Sequence, residues 1–261
     1  MPVIFRLFIG FIFIVSFLHC KNDKSVTEKN EIIHQEKDTT HNVSYLMGQF
    51  SPENHSLFSL IDIQYADREG MYMRTEAYEA FQDMWKAANA DGVSLQIRSA
   101  ARNFVYQKGI WERKWKGETI LSDGVNATQI QDEKDRALKI LLYSSMPGTS
   151  RHHWGTDIDL NSFNNSWFES GEGLKVYNWL LKNAPNYGFC QVYTAKGEAR
   201  PFGYEEEKWH WSYLPISKPL TKYAKSTLKN DMIKDFEGSH TAIEIDVVKK
   251  YVLGIASSCL H

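Results

Sequence analysis

Between Thr75 and Ala88 the apolar residues Ala77, Phe81, Trp85 and Ala88 recur at helical spacing. They predict a helix with Thr75 as its cap and Asp91-Gly92 as its stop. Val93, Leu95 and Ile97 then alternate with polar residues, the period of a half-buried strand. Arg102-Asn103 falls in the loop after that strand, and a second helix is expected to run to about Lys116, with Gly117 ending it. Thr128 and Gln131 have capping-box spacing for a third helix reaching about Tyr143, before Pro147-Gly148. Leu174, Tyr177, Leu181 and Ala184 mark a fourth, and a helical tail is expected over about Thr241 to Ser257. Residues 189–193 and 208–213 read as strands flanking a turn near Lys196-Gly197. Helices come early and strands bracket the polar motifs, which predicts an α+β fold with a small antiparallel sheet.

The amino terminus has a different pattern. Arg6 is followed by an unbroken apolar run from Leu7 to Leu18, short for a bilayer span and of the length of a signal-peptide core. Cys20 follows, so residues 1–20 resemble a bacterial lipoprotein signal with Cys20 as the lipidated residue, although His19 stands where a small residue is usual; an ordinary secretion signal is the alternative. Residues 21–44 are polar and read as a tether to a membrane, leaving 45–261 as the folded domain with a helical C-terminal extension. The remaining cysteines, Cys190 and Cys259, lack metal-site spacing. In an oxidising envelope compartment they could pair, and two isolated thiols fit the sequence equally well. A net charge of −2 gives no electrostatic case for nucleic acid as a partner. Eight tryptophans suit a core, or a groove gripping a flexible, partly polar ligand.

The candidate chemistry lies in two segments, Ser150 to Asp159 and Glu207 to Trp211. His152, Asp159 and His210 supply two imidazoles and a carboxylate, a donor set that suits Zn²⁺ and leaves a fourth position open. Glu207 adds a carboxylate that could take a proton from water. His152 and Asp159 are seven residues apart and need a turn between them, which Gly155 permits. On a strand after that turn, Asp157 shares a face with Asp159, while Ile158 points into the core. Two like charges on one face are costly unless a cation sits among them. A solvated polar turn is the alternative for this segment. Glu207 and His210 would face opposite sides of a continuous strand, so they converge only if Glu207 precedes a strand beginning near Trp209. His153 would point away from His152 and is expected to pack or to support its neighbour.

Taken together these segments resemble the D-alanyl-D-alanine carboxypeptidase family of zinc peptidases, relatives of VanY and VanX. That family shares a fold with lysostaphin-type endopeptidases and the hedgehog signalling domain. Its pattern of Ser-x-His-x-x-Gly-x-Ala-x-Asp, followed after roughly fifty residues by Glu-x-x-His, is matched by Ser150, His152, Gly155, Asp159, Glu207 and His210. Ser99 to Asn103 with Tyr106-Gln107 resembles a third family segment, Ser-Gly-Tyr-Arg-Ser followed by Gln. The resemblance implies that His152, Asp159 and His210 bind Zn²⁺ and that Glu207 is general base, then acid. It also implies that Arg102 stabilises the developing oxyanion or the terminal carboxylate, and that Ser150 and Gln107 touch substrate. Asp157 departs from the usual Ala and would orient a ligand histidine or reshape the pocket floor. The implied activity is a D,D-carboxypeptidase acting on peptidoglycan stem peptides in the cell envelope, periplasmic and membrane-anchored. An endopeptidase with the same zinc site and a non-catalytic wall-binding module are the alternatives.

Overall fold

The structure is a computed structural model that describes residues 41–260. The apolar run, Cys20 and most of the polar stretch lie outside the described residues. The first element among the described residues includes Val43 and Ser44, ahead of the Tyr45 from which the folded domain was expected. Asn42 caps a single helical turn, Val43–Leu46, in which Tyr45 and Leu46 are buried. The Tyr45 hydroxyl donates to the Trp154 carbonyl and so ties this turn to the motif segment.

A two-stranded hairpin, β1 (Phe58–Leu60) and β2 (Tyr72–Arg74), precedes helix α1 (Thr75–Ala90). Ala77, Phe81, Met84 and Ala88 form its buried face, while Trp85 sits at the margin and donates to the Leu95 carbonyl. Thr75 is not the cap: Arg74 holds that position, and the Thr75 hydroxyl bonds to the Leu57 carbonyl instead. Val93, Leu95 and Ile97 are buried in alternation as expected, but the ladder, strand β3, covers only Ile97–Ser99. Helix α2 (Phe104–Trp115) starts from an Asn103 side-chain cap and stops before Gly117, as its sequence predicts. Helix α3 (Glu133–Ile140) begins later than expected. Asp132 caps it by accepting from the Asp135 amide, and Thr128 lies in a preceding 3-10 turn. Asp132 outcompetes Thr128 because a carboxylate at a helix start also meets the positive end of the peptide dipoles.

Strand β4 (Asp157–Leu160) follows the motif turn, and helix α4 (Gly171–Asn183) follows that. The expected stripe on α4 is displaced around the helix. Leu174 and Leu181 are exposed, while Val176, Trp179 and Leu180 are buried. Strands β5 (Phe189–Gln191) and β6 (His210–Tyr213) complete a four-stranded antiparallel sheet in the order β3-β4-β6-β5. Helix α5 (Leu214–Thr227) has no counterpart in the sequence reading, because Pro215 and Pro219 remove the usual helical signal. The tail is only partly helical: α6 (Thr241–Ile245) ends where Asp246 turns left-handed, and a π-helical turn, Val248–Val252, follows.

The two sheet faces differ in chemistry. Ile158, Leu160 and Trp211 join Phe81, Met84, Val176 and Leu180 in one apolar core. Asp157, Asp159, His210 and Ser212, on the alternate positions of β4 and β6, face the other way. A second core lies around Trp111, Trp154, Ala224 and Val252. The polar face is therefore buried between two apolar masses, where unpaired charges would be costly.

Cys190 and Cys259 form a disulfide, which decides the question the sequence left open. It clips β5 to the end of the described chain across 69 residues. Closing a loop of that length stabilises the fold by roughly 4 kcal/mol in the chain-entropy picture. Cys190→Ser with Cys259→Ser is accordingly expected to lower the unfolding midpoint by roughly 10 °C in calorimetry.

Candidate metal centre

His152 lies in a 3-10 turn, Arg151–Trp154, that ends at Gly155 with φ of 70°. A Cβ on Gly155 would stand 2.2 Å from the Phe58 ring, so this turn needs glycine both for its left-handed backbone and for the close approach. The chain then enters β4, where Asp159 is the cross-strand partner of His210 on β6. Glu207 sits in the loop ahead of β6, as the spacing requires. Its amide donates to the Tyr193 carbonyl, and its own carbonyl accepts from the His210 amide.

The three expected donors meet. His152 Nε2 is 3.3 Å from Asp159 Oδ2, and His210 Nδ1 is 3.3 Å from Asp159 Oδ1. One donor atom from each residue lies within 4.8 Å of the others. Donors about 2.0–2.2 Å from one ion would be roughly 3.3–3.6 Å apart in a tetrahedron, so the set is close to zinc spacing.

Hydrogen bonds fix which nitrogens are free. The Ala100 carbonyl, 2.8 Å from His152 Nδ1, can only accept, so Nδ1 carries the proton and Nε2 presents a lone pair. That Nε2 is buried without a hydrogen bond, as is Asp159 Oδ1. On His210 the Nε2–H donates to Asp157 Oδ2 at 2.9 Å, leaving the Nδ1 lone pair towards Asp159 and Glu207. With both imidazoles neutral, their lone pairs converge on carboxylate oxygens, an arrangement that needs positive charge between them: a proton on His210 when no cation is bound, or a cation in its place. The donors fit a divalent cation, and their nitrogen and oxygen chemistry suits zinc.

The electrostatics agree. Burial opposes ionisation of Asp159, but His152 and His210 outweigh it and hold the carboxyl well below its ordinary range. Burial and the Arg102 guanidinium keep His152 neutral by lowering its pKa. Burial likewise opposes a charge on His210, yet Asp157, Asp159 and Glu207 push its pKa well up. Burial raises the Glu207 carboxyl, and contact with His210 only partly counters this.

Asp157 occupies the face beside Asp159 without joining the donor set. Its Oδ2 accepts from His210 Nε2 and from Arg151 Nε at 3.0 Å, and its Oδ1 accepts from the Thr156 and Ser212 hydroxyls. Burial works against its charge, and Arg151 and His210 overcome that, so it stays an anion. Asp157→Asn is expected to weaken zinc binding about 10- to 100-fold, the usual effect of losing such a carboxylate behind a ligand histidine. Competition against a chromophoric chelator measures this, and an unchanged affinity would mean that Asp157 does not act through His210.

Arg151 lies inside the motif segment, at a position the family pattern leaves open. It is fully buried, lies over the Trp154 ring, and donates also to Thr221 on α5 and Ser212 on β6. The signal was present: an anion on the buried face of β4 needs a cation, and Arg151 is the nearest in sequence. Tyr193 was missed for want of any motif. Its ring packs edge-on to His210, 4.7 Å between centroids.

A cavity of about 710 Å³ opens over the donors, lined among others by Arg102, Lys114, Tyr193, Glu207 and Trp209. Arg102 is where the sequence placed it, and its Nε is buried without a hydrogen-bond partner. Its backbone is clamped: the amide donates to the His152 carbonyl, and the Arg102 carbonyl accepts from His153 Nδ1 at 2.6 Å. Burial pushes His153 down to about 3, so it is a neutral packing residue. Ser150 and Gln107, expected to touch substrate, do not line the cavity. Each is 1% exposed, and Gln107 Nε2 donates to the Ser145 carbonyl, shaping the wall from behind.

Residues 70–216 match the family model of VanY, D-alanyl-D-alanine carboxypeptidase, more than half of the chain. The chain belongs to the D-alanyl-D-alanine carboxypeptidase family. Within it, the chain is 28% identical over 160 residues to the D-alanyl-D-alanine carboxypeptidase of Enterococcus faecalis, covering 61% of this chain and 54% of the relative. It is 29% identical over 189 residues to the putative carboxypeptidase YodJ of Bacillus subtilis, covering 69% and 60%. The chain thus spans a little over half the length of these curated relatives. Among solved structures, VanYB in complex with D-alanine-D-alanine is 25% identical with a TM-score of 0.46, covering 66% of this chain and 86% of that one. The family pattern has a small residue where this VanY-family member carries Asp157, so the buried Arg151–Asp157 pair is a departure from that pattern.

Proposed function

We propose that this protein is a zinc D,D-carboxypeptidase that removes the terminal D-alanine from peptidoglycan stem peptides. The observation that carries the reading is the convergence of two imidazole lone pairs and the Asp159 carboxylate beside Glu207, in a cavity that also holds Arg102. His152, Asp159 and His210 would hold the ion. When bound, zinc supplies Lewis-acid polarisation to the scissile carbonyl and to water.

The remaining steps belong to the chain's own residues. Glu207, raised in pKa by burial, takes a proton from the attacking water and delivers it to the leaving amine nitrogen. The Arg102 guanidinium donates to the substrate oxygen as negative charge develops there. Asp157 and Arg151 keep the His210 ring in one tautomer and one orientation throughout.

The amino-terminal apolar run and Cys20 support export and a lipid anchor, which would place the domain beside its wall substrate on the membrane surface. A digest of a purified stem pentapeptide and a cross-linked dimer, with and without a chelator, tests the proposal by product mass. Release of one D-alanine from the pentapeptide, abolished by the chelator and restored by zinc, is the expected result. Cleavage confined to the cross-link would make the protein an endopeptidase, and stoichiometric zinc without hydrolysis would make it a wall-binding module.

A further inference from the structure

The main-chain ladder between β4 and β6 ends where the Leu160 amide donates to the Trp209 carbonyl. Asn161 then turns left-handed, with φ of 59°, and its side-chain amide donates to the Ser94 carbonyl. The segment that carries Glu207 therefore lies beyond the end of this ladder. A 3-10 turn, Asn165–Glu169, lies against that segment, and Asn165 lines the cavity.

The Asn165 side chain meets both peptide groups that flank Glu207. Its Nδ2 donates to the Glu206 carbonyl at 2.7 Å, and its Oδ1 accepts from the Lys208 amide at 3.0 Å. One carboxamide, with donor and acceptor side by side, stands in for the edge of a strand. The Lys208 ammonium, 3.0 Å from the Glu169 carboxylate, adds a third tie to the same turn. The Glu207 amide donates to the Tyr193 carbonyl, and the Glu207 carbonyl accepts from Gln191 Nε2 at 3.3 Å. The backbone is thus pinned at Glu206, Glu207 and Lys208 in turn. The Glu207 carboxylate is left pointing at the donors, with Oε2 3.1 Å from His210 Nδ1. Such fixing matters for a group that moves a proton, because a displacement of about 1 Å can cost on the order of 10²-fold in rate.

We propose that Asn165 is a positioning residue for proton transfer: it fixes the chain on both sides of Glu207 and so holds that carboxylate where the attacking water must be. This rests on the peptidase reading above. Both Asn165 bonds go to the chain around Glu207, so its contribution falls on kcat and not on zinc affinity.

The test uses the zinc-loaded, full-length protein and a stem pentapeptide ending in D-alanyl-D-alanine. Asn165→Ala is expected to lower kcat about 10- to 100-fold, with KM and zinc affinity moved less than about threefold. Asn165→Asp has nearly the same shape, keeps the acceptor for the Lys208 amide and loses the donor to the Glu206 carbonyl. It should show the same split between kcat and KM, and it carries the test if the alanine variant does not fold. In a Glu207→Gln background, either substitution should cost less than about threefold more, because the group that Asn165 positions no longer takes a proton. An equal cost in both backgrounds, or a loss confined to KM or to bound zinc, would overturn the proposal. A second readout needs no turnover. The Lys208 amide should exchange with solvent about tenfold faster or more in Asn165→Ala than in wild type. An unchanged exchange rate would show that Asn165 does not hold the segment. Wild type that releases no D-alanine would remove the peptidase reading and this role with it, whereas an active wild type with additive losses would remove the role of Asn165 alone.

Discussion

Glu207→Gln is expected to lower kcat for D-alanine release by about 10²- to 10⁴-fold while leaving zinc stoichiometry near one per chain. The amide fills the same space and can still accept from its surroundings, so the loop ahead of β6 keeps its backbone bonds to Tyr193 and His210. What is lost is the ability to take a proton. The measurement pairs single-turnover hydrolysis with metal analysis on the same sample. Near-normal turnover by a fully metallated variant would remove Glu207 from the mechanism.

His152→Ala should fail earlier, at the metal. Removing one of three donors leaves Asp159 and His210 to hold the ion, and the expected result is loss of both bound zinc and hydrolysis. Zinc should also cease to stabilise the fold. At a free concentration of 100 times its dissociation constant, a ligand specific for the native state adds about 2.7 kcal/mol. Wild type should therefore show a zinc-dependent rise in unfolding midpoint that His152→Ala lacks. A variant that retained tight zinc would exclude His152 from the donor set. The two substitutions separate holding the ion from moving the proton, which no assay of activity alone does.

The donor set was legible because two constraints act on few residues. Alternation along β4 puts Asp157 and Asp159 on one face, and the Glu207–His210 spacing forces a loop before β6. Both hold whatever surrounds them. Gly155 was legible for the same reason, since a reversal between His152 and Asp159 needs a left-handed residue. What stayed hidden depends on tertiary neighbours. The buried face of α4 is chosen by what packs against it, so Leu174 and Leu181 misled. Helix α5 carries two prolines and becomes visible only in the fold. The motif resemblance that names Ser150 and Gln107 carries no information about which side of the cavity wall a side chain occupies, and both are buried behind it. Arg151 answers a charge that only burial makes expensive.

The pairing of Asp159 with His210 across β4 and β6 joins segments about fifty residues apart in sequence. Slipping either strand by one residue would turn every side chain on it to the opposite face and pull the donors apart. An ion held by His152, Asp159 and His210 would therefore favour the correctly registered sheet, since only that register assembles the full donor set. Refolding without zinc is the condition under which misregistered chains should accumulate, and late addition of the ion should rescue only those still able to re-pair.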